Sequence, residues 1–102
     1  MDGTRAGQAR KMWETTDPDG RTVVLTFERW RHIVDKHDEL HGHRDGVLEA
    51  IARPEERLPG HEPYEDWFYG RLAQPHRWIR VVVHYESDRG FIVTAFARRL
   101  IP

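Results

Sequence analysis

The stretch RWIRVVVHYESDRGFIVTAFARR, residues 77–99, decides the fold class. Two runs rich in β-branched and aromatic residues flank the polar segment Glu86-Ser87-Asp88-Arg89-Gly90, which predicts a β-hairpin closed by a Gly-containing loop. With Tyr85 placed opposite Phe91, the two-residue period sorts the hairpin into two faces. Ile79, Val81, Val83, Tyr85, Phe91, Val93, Ala95 and Ala97 form an apolar face, expected to be core. Trp78, Arg80, Val82, His84, Ile92, Thr94, Phe96 and Arg98 form the other. That second face mixes cations, an imidazole, a hydroxyl and aromatic rings, the chemistry of an anionic, base-containing ligand.

Upstream of the hairpin, YEDWFYGRL (64–72) alternates as a strand with Trp67, Tyr69 and Arg71 on one face, and Ala73-Gln74-Pro75-His76 turns the chain into Arg77. Residues 55–63 predict a loop or a short edge strand. A helix is expected from Arg44 to Arg53, with Val47, Leu48, Ile51 and Ala52 as its apolar stripe and Pro54 ending it. An earlier helix runs from Phe27 to about His37, capped by Thr26. It carries Trp30, Ile33, Val34 and His37 on one face and Arg29, His32 and Lys36 on another. Before it, MWETT (12–16) and RTVVLTF (21–27) flank the turn Asp17-Pro18-Asp19-Gly20. The order predicts an α+β fold, with a short N-terminal hairpin and two helices packed on a curved antiparallel β-sheet.

The chain has 102 residues, which fits one domain: residues 1–10 as a disordered lead-in and residues 11–102 as the folded unit. It has no cysteine, which excludes disulfides, a thiol nucleophile and thiolate metal sites. No apolar run reaches the roughly 20 residues that span a bilayer, and MDGTRAGQARK lacks the apolar core of a secretory signal, so no membrane association and a cytoplasmic location are expected. A net charge of −1 argues against a general nucleic-acid coat. Charge is uneven, however: Arg71, Arg77, Arg80, Arg89, Arg98 and Arg99 face only Glu86 and Asp88 in the C-terminal part.

Cleaving RNA without a metal needs a base for the 2′-hydroxyl, an acid for the leaving 5′-oxygen and cations for the phosphorane. Histidine serves both proton roles near neutral pH, and arginine offers a fork to phosphate. On that basis His32, His37, Arg80 and Thr94 are the candidate catalytic residues. Tyr69, Arg71, Trp78, His84 and Arg98 are the candidate substrate-binding residues, the aromatic rings as stacking platforms for bases. Each also has a plain reading as a packing residue or a solvated stripe, so their convergence on one face carries the weight. Within HDELHGH (37–43), His37 and His41 stand at the i, i+4 spacing of a zinc site. The Glu that follows the first His in zincins is replaced here by Asp38, so no metal and no cofactor are expected.

The ordered set Trp30, His32, Ile33, His37 and Glu39 (W-x-H-I-x-x-x-H-x-E) is followed by a short helix ending in Pro-Glu (VLEAIARPEE) and by WIRVVVHY and FIVTAF. Over residues 20–98 it resembles the phage-associated branch of the BECR nucleases, the superfamily of barnase, EndoU, the colicin tRNases and RelE. The resemblance implies an RNase-toxin-like fold, metal-independent endoribonuclease activity on tRNA or mRNA through the 2′-hydroxyl, and a cognate antitoxin or immunity protein. It places the family's helix histidine on His32 with His37 second, its last-strand threonine on Thr94, and its basic residue on Arg80 or Arg71. No glutamate is evident on the sheet to act as the base used in some branches. A non-catalytic RNA- or protein-binding module on the same scaffold is the alternative, and a zinc hydrolase using His37 and His41 a further one.

Overall fold

The computed structural model describes residues 12–72 and 77–102. The expected lead-in at residues 1–10 and the turn Ala73-Gln74-Pro75-His76 lie outside them. The described elements run β1 (Met12–Thr16), β2 (Thr22–Thr26), α1 (Phe27–Lys36), a 3-10 helix (Asp38–Leu40), α2 (Arg44–Ala52), β3 (Glu56–Pro59), β4 (Glu65–Arg71), β5 (Trp78–Glu86) and β6 (Arg89–Arg98). The class is α+β.

Local chemistry sets the boundaries. Asp17 Oδ1 accepts the N–H groups of Asp19 and Arg21, both at 2.9 Å, and closes the β1–β2 turn. Thr26 Oγ1 accepts the Arg29 N–H at 3.0 Å and starts α1, with Glu28 in the first turn. That helix stops at Lys36 because His37 (φ −132°) leaves the helical region. Pro54 lies just beyond the end of α2, where its missing N–H and its ring forbid another turn.

The sheet has six strands in the order β1-β2-β6-β5-β4-β3. It is mixed, which corrects the expected antiparallel sheet: β2 runs parallel to β6, pairing Thr22 with Arg89 and Val24 with Phe91. The reason is the connection. Between β2 and β6 the chain makes both helices and three more strands, so it returns beside β2 by a crossover rather than a hairpin. β2 pairs only as far as Phe91, and the 3-10 helix takes over the edge it leaves, Glu39 Oε2 accepting the Ala97 N–H at 3.2 Å.

One face of the sheet is the core. Val23, Leu25, Phe68, Ile79, Val81, Val83, Ile92 and Ala95 pack there against Ile33 and Val34 of α1 and Val47, Ala50 and Ile51 of α2. At Gly70 a Cβ would lie 2.8 Å from Ala50 Cβ, so α2 rests directly on the β4 backbone. The sheet is bent: Arg57 on edge strand β3 reaches Asp17 (3.5 Å) and Asp19 (2.9 Å) in the turn at the opposite edge. Tyr85 Oη joins them, donating to Asp17 Oδ2 at 2.7 Å.

The hairpin register departs from the expectation at one end. Trp78 to Val82 pair with Arg98 to Thr94 as predicted, but a bulge between Val82 and Val83 skips Val93. Val83 then faces Ile92, His84 faces Phe91 and Tyr85 faces Gly90. One extra residue moves every side chain before it to the other face, so Ile92 is core (4% exposed) and Phe91 joins His84 outside. The turn itself is Ser87-Asp88, with Ser87 at φ +59°. Gly90 lies in the strand, where it leaves room for the Tyr85 ring, a Cβ there being 2.9 Å from Tyr85 Cε1.

Candidate functional site

On the face away from the helices, successive rungs across β4, β5 and β6 read Arg71–Trp78–Arg98, Tyr69–Arg80–Phe96, Trp67–Val82–Thr94 and Glu65–His84–Phe91. Of the nine candidate residues, Arg80, Thr94, Tyr69, Arg71, Trp78, His84 and Arg98 therefore share this face. Val82 is its floor (8% exposed), between Trp67 and Thr94, with Arg80 and His84 before and after it on the same strand.

Arg80 is 9% exposed, which is unusual for an arginine. Its guanidinium carbon lies 4.0 Å over the Trp67 ring and 5.4 Å from the Phe96 ring, while its Nε donates to Tyr69 Oη at 2.9 Å. Among the described residues no carboxylate lies within ion-pair distance of it. A desolvated cation boxed by aromatic rings, with no acid beside it, has the chemistry to take an anion through its planar fork. Around it, Arg71 stacks on Trp78 at 4.6 Å, and Arg98 Nη2 donates to the Pro102 carbonyl at 3.2 Å.

His84 sits at the far end of the floor with one nitrogen engaged. Its Nε2 is 3.1 Å from Glu65 Oε1. Burial pushes the Glu65 carboxyl up, but hydrogen bonds from Trp67 Nε1, His84 and the His61 N–H outweigh it and hold Glu65 below the usual carboxylate range. An ionised Glu65 accepts a hydrogen bond from Nε2–H and leaves Nδ1 with a free lone pair. Tyr64 packs edge-on against the imidazole at 4.9 Å. This is a histidine–carboxylate pair suited to proton transfer.

Glu65 is the residue that the sequence reading missed. The alternation assigned to YEDWFYGRL, which groups Trp67, Tyr69 and Arg71, puts Glu65 on the same face two residues earlier, and that was the available signal. Phe91 was missed for a different reason, since its side of the sheet depends on the bulge.

The helix histidines separate. His37 reaches the rim of the face, its ring 5.4 Å from Phe96 and its Nδ1 3.9 Å from Glu39 Oε2. His32 is exposed on α1, in shallow depressions lined by Thr26, Glu28, Arg29, Arg31 and Asp35 and by no strand residue of the outer face. The structure does not bring His32 beside Arg80 or Thr94. His37 and His41 are not on one helix, because α1 ends at Lys36 and a 3-10 helix intervenes. Among the described residues no group of three or more His, Asp or Glu side chains converges to hold a metal, and no helix is long and apolar enough to cross a membrane.

Comparison of the chain with protein-family models, curated proteins and solved structures returns no match.

Proposed function

We propose that the outer face is the site of a metal-independent endoribonuclease of toxin-like character. The observation that carries this is the pairing of an acid-free, aromatic-boxed Arg80 with a His84–Glu65 dyad across one floor, Thr94 standing at its side. A phosphate over Val82 takes the Arg80 fork and a hydrogen bond from the Thr94 hydroxyl. His84 Nδ1 removes the 2′-hydroxyl proton while Glu65 stabilises the imidazolium that forms. The 2′-oxygen attacks phosphorus and the P–O5′ bond breaks, leaving a 2′,3′-cyclic phosphate and a free 5′-hydroxyl. An in-line displacement puts the departing oxygen toward the Arg80 side, where His37 packs against Phe96 and supplies the proton. A neutralising antitoxin or immunity protein, and the likeness to the BECR nucleases, belong to this same reading.

The test is incubation of the purified chain with total tRNA and mRNA in EDTA. Cleavage that survives chelation, disappears in His84→Ala and persists in His32→Ala is the expected result. Absence of cleavage from the wild-type chain overturns the reading. A second reading, a non-catalytic RNA- or protein-binding module, is favoured by the burial of Tyr69 (0% exposed) and Arg80 (9%), which leaves little open floor around the cation. RNA binding that is unchanged in His84→Ala, with no product formed, is its signature.

A further inference from the structure

We infer that the hairpin end of the outer face holds a nucleobase subsite, in which a base stacks between Tyr64 and Phe91 and offers N–H donors to Glu86. A cavity of about 370 Å³ lies there, lined by Tyr64, His84, Tyr85, Glu86 and Phe91. That volume suits one small flat ligand, and the cavity shares His84 with the proposed cleavage centre.

The walls are aromatic and held in place. Tyr64 is 49% exposed, yet its carbonyl accepts the Tyr85 N–H at 2.8 Å and its ring packs edge-on against His84. Phe91 is in the wall only because the β6 bulge turns it out of the core. A large ring turned away from the core and an exposed tyrosine beside it make a stacking platform that any base can use, since every base has a π-face.

Glu86 gives the subsite its selectivity. In the hairpin it sits opposite Arg89, but among the described residues it forms no ion pair. A carboxylate accepts and never donates. It therefore favours a base edge with amino or paired N–H donors, as in guanine, adenine and cytosine. It disfavours uracil, whose single N–H is flanked by two carbonyl oxygens. The direction of the chain, from this base to a phosphate near His84, rests on the RNA-cleaving reading; the base pocket itself does not.

The experiment titrates the full chain with 5′-GMP, 5′-AMP, 5′-CMP and 5′-UMP, following amide shifts by NMR. Shifts centred on Tyr64, His84 and Phe91, with UMP about tenfold weaker, are expected. Tyr64→Ala lowers affinity for all four nucleotides by about tenfold or more, and Glu86→Gln removes the penalty against UMP. Phe91→Leu, which keeps an apolar residue at the bulge, weakens binding without unfolding. RNA cleavage with no nucleotide-induced shifts at Tyr64 overturns the subsite and leaves the cleavage reading standing. Nucleotide binding without any RNA cleavage does the reverse. Equal affinity for UMP and the other nucleotides overturns the role of Glu86.

Discussion

The guanidinium of Arg80 lies 4.0 Å above the indole of Trp67, on the face of the sheet that carries no helix. Trp67 in turn donates its Nε1–H to Glu65 at 2.6 Å, and Glu65 holds His84. One aromatic ring thus joins the Arg80 guanidinium to the Glu65–His84 pair, and neither charged group is placed independently of the other.

Arg80→Ala leaves Tyr69 Oη, fully buried, without its partner and removes the stack on Trp67. Such a loss costs about 1–3 kcal/mol, which lowers Tm by several degrees in a small domain. Arg80→Lys keeps the charge but not the planar fork, so RNA affinity falls even where stability recovers. Thermal melts and RNA binding of the two variants separate these contributions. An Arg80→Ala chain that melts like the wild type contradicts the buried geometry.

Glu65→Gln and His84→Ala both reduce cleavage, His84→Ala by about 10²–10⁴-fold. The glutamine keeps the size of the side chain but cannot balance the imidazolium, and its amide can select the other tautomer. His32→Ala leaves the rate unchanged, because none of the residues lining the depressions around it belongs to the outer face of the sheet. Single-turnover cleavage rates in EDTA check all three.

Gly70→Ala is destabilising although it adds one methyl group. The new Cβ meets Ala50 Cβ at 2.8 Å and its Cα at 3.2 Å, so α2 must lift from β4. Overpacking of this kind costs about 1–3 kcal/mol. A urea melt reads the loss, and Gly70→Ala combined with Ala50→Gly recovers part of it.

Stability falls in acid, and Asp17 contributes to the fall. Burial pushes its carboxyl up, but the Tyr85 hydroxyl, the Arg21 and Asp19 N–H groups and the Arg57 charge outweigh this and hold it below the ordinary value. A carboxyl lowered on folding adds stability above its unfolded pKa, near 4, and loses it as the pH drops through the folded value. Tyr85 shows the opposite sign. Burial and Asp17 raise its phenol, so its stabilisation is complete below about pH 10 and declines as alkali ionises the unfolded chain. Denaturant midpoints between pH 2 and pH 7 flatten in Asp17→Asn relative to the wild type.

Much of the fold was legible locally. Asp17-Pro18-Asp19-Gly20 specified its turn, Thr26 its cap and Pro54 its stop, because each acts on atoms within a few residues. The pairing of Trp78–Val82 with Thr94–Arg98 agrees with the register expected from setting Tyr85 opposite Phe91, although Tyr85 itself faces Gly90. The swap of Phe91 and Ile92 was not legible, since it follows from the bulge that skips Val93, a feature of how β5 and β6 pair. His32 and His37 share a short motif, yet the end of α1 sends them to different surroundings.

By itself the sequence determined an α+β chain with one apolar face and one cationic, aromatic face on its C-terminal hairpin, because side-chain alternation is a property of the strand. Tertiary structure alone decided that the sheet is mixed, that Glu65 meets His84, and that Arg80 is buried without an acid beside it. Those facts depend on which strands become neighbours and in what register, and that is settled by packing between residues distant in the chain.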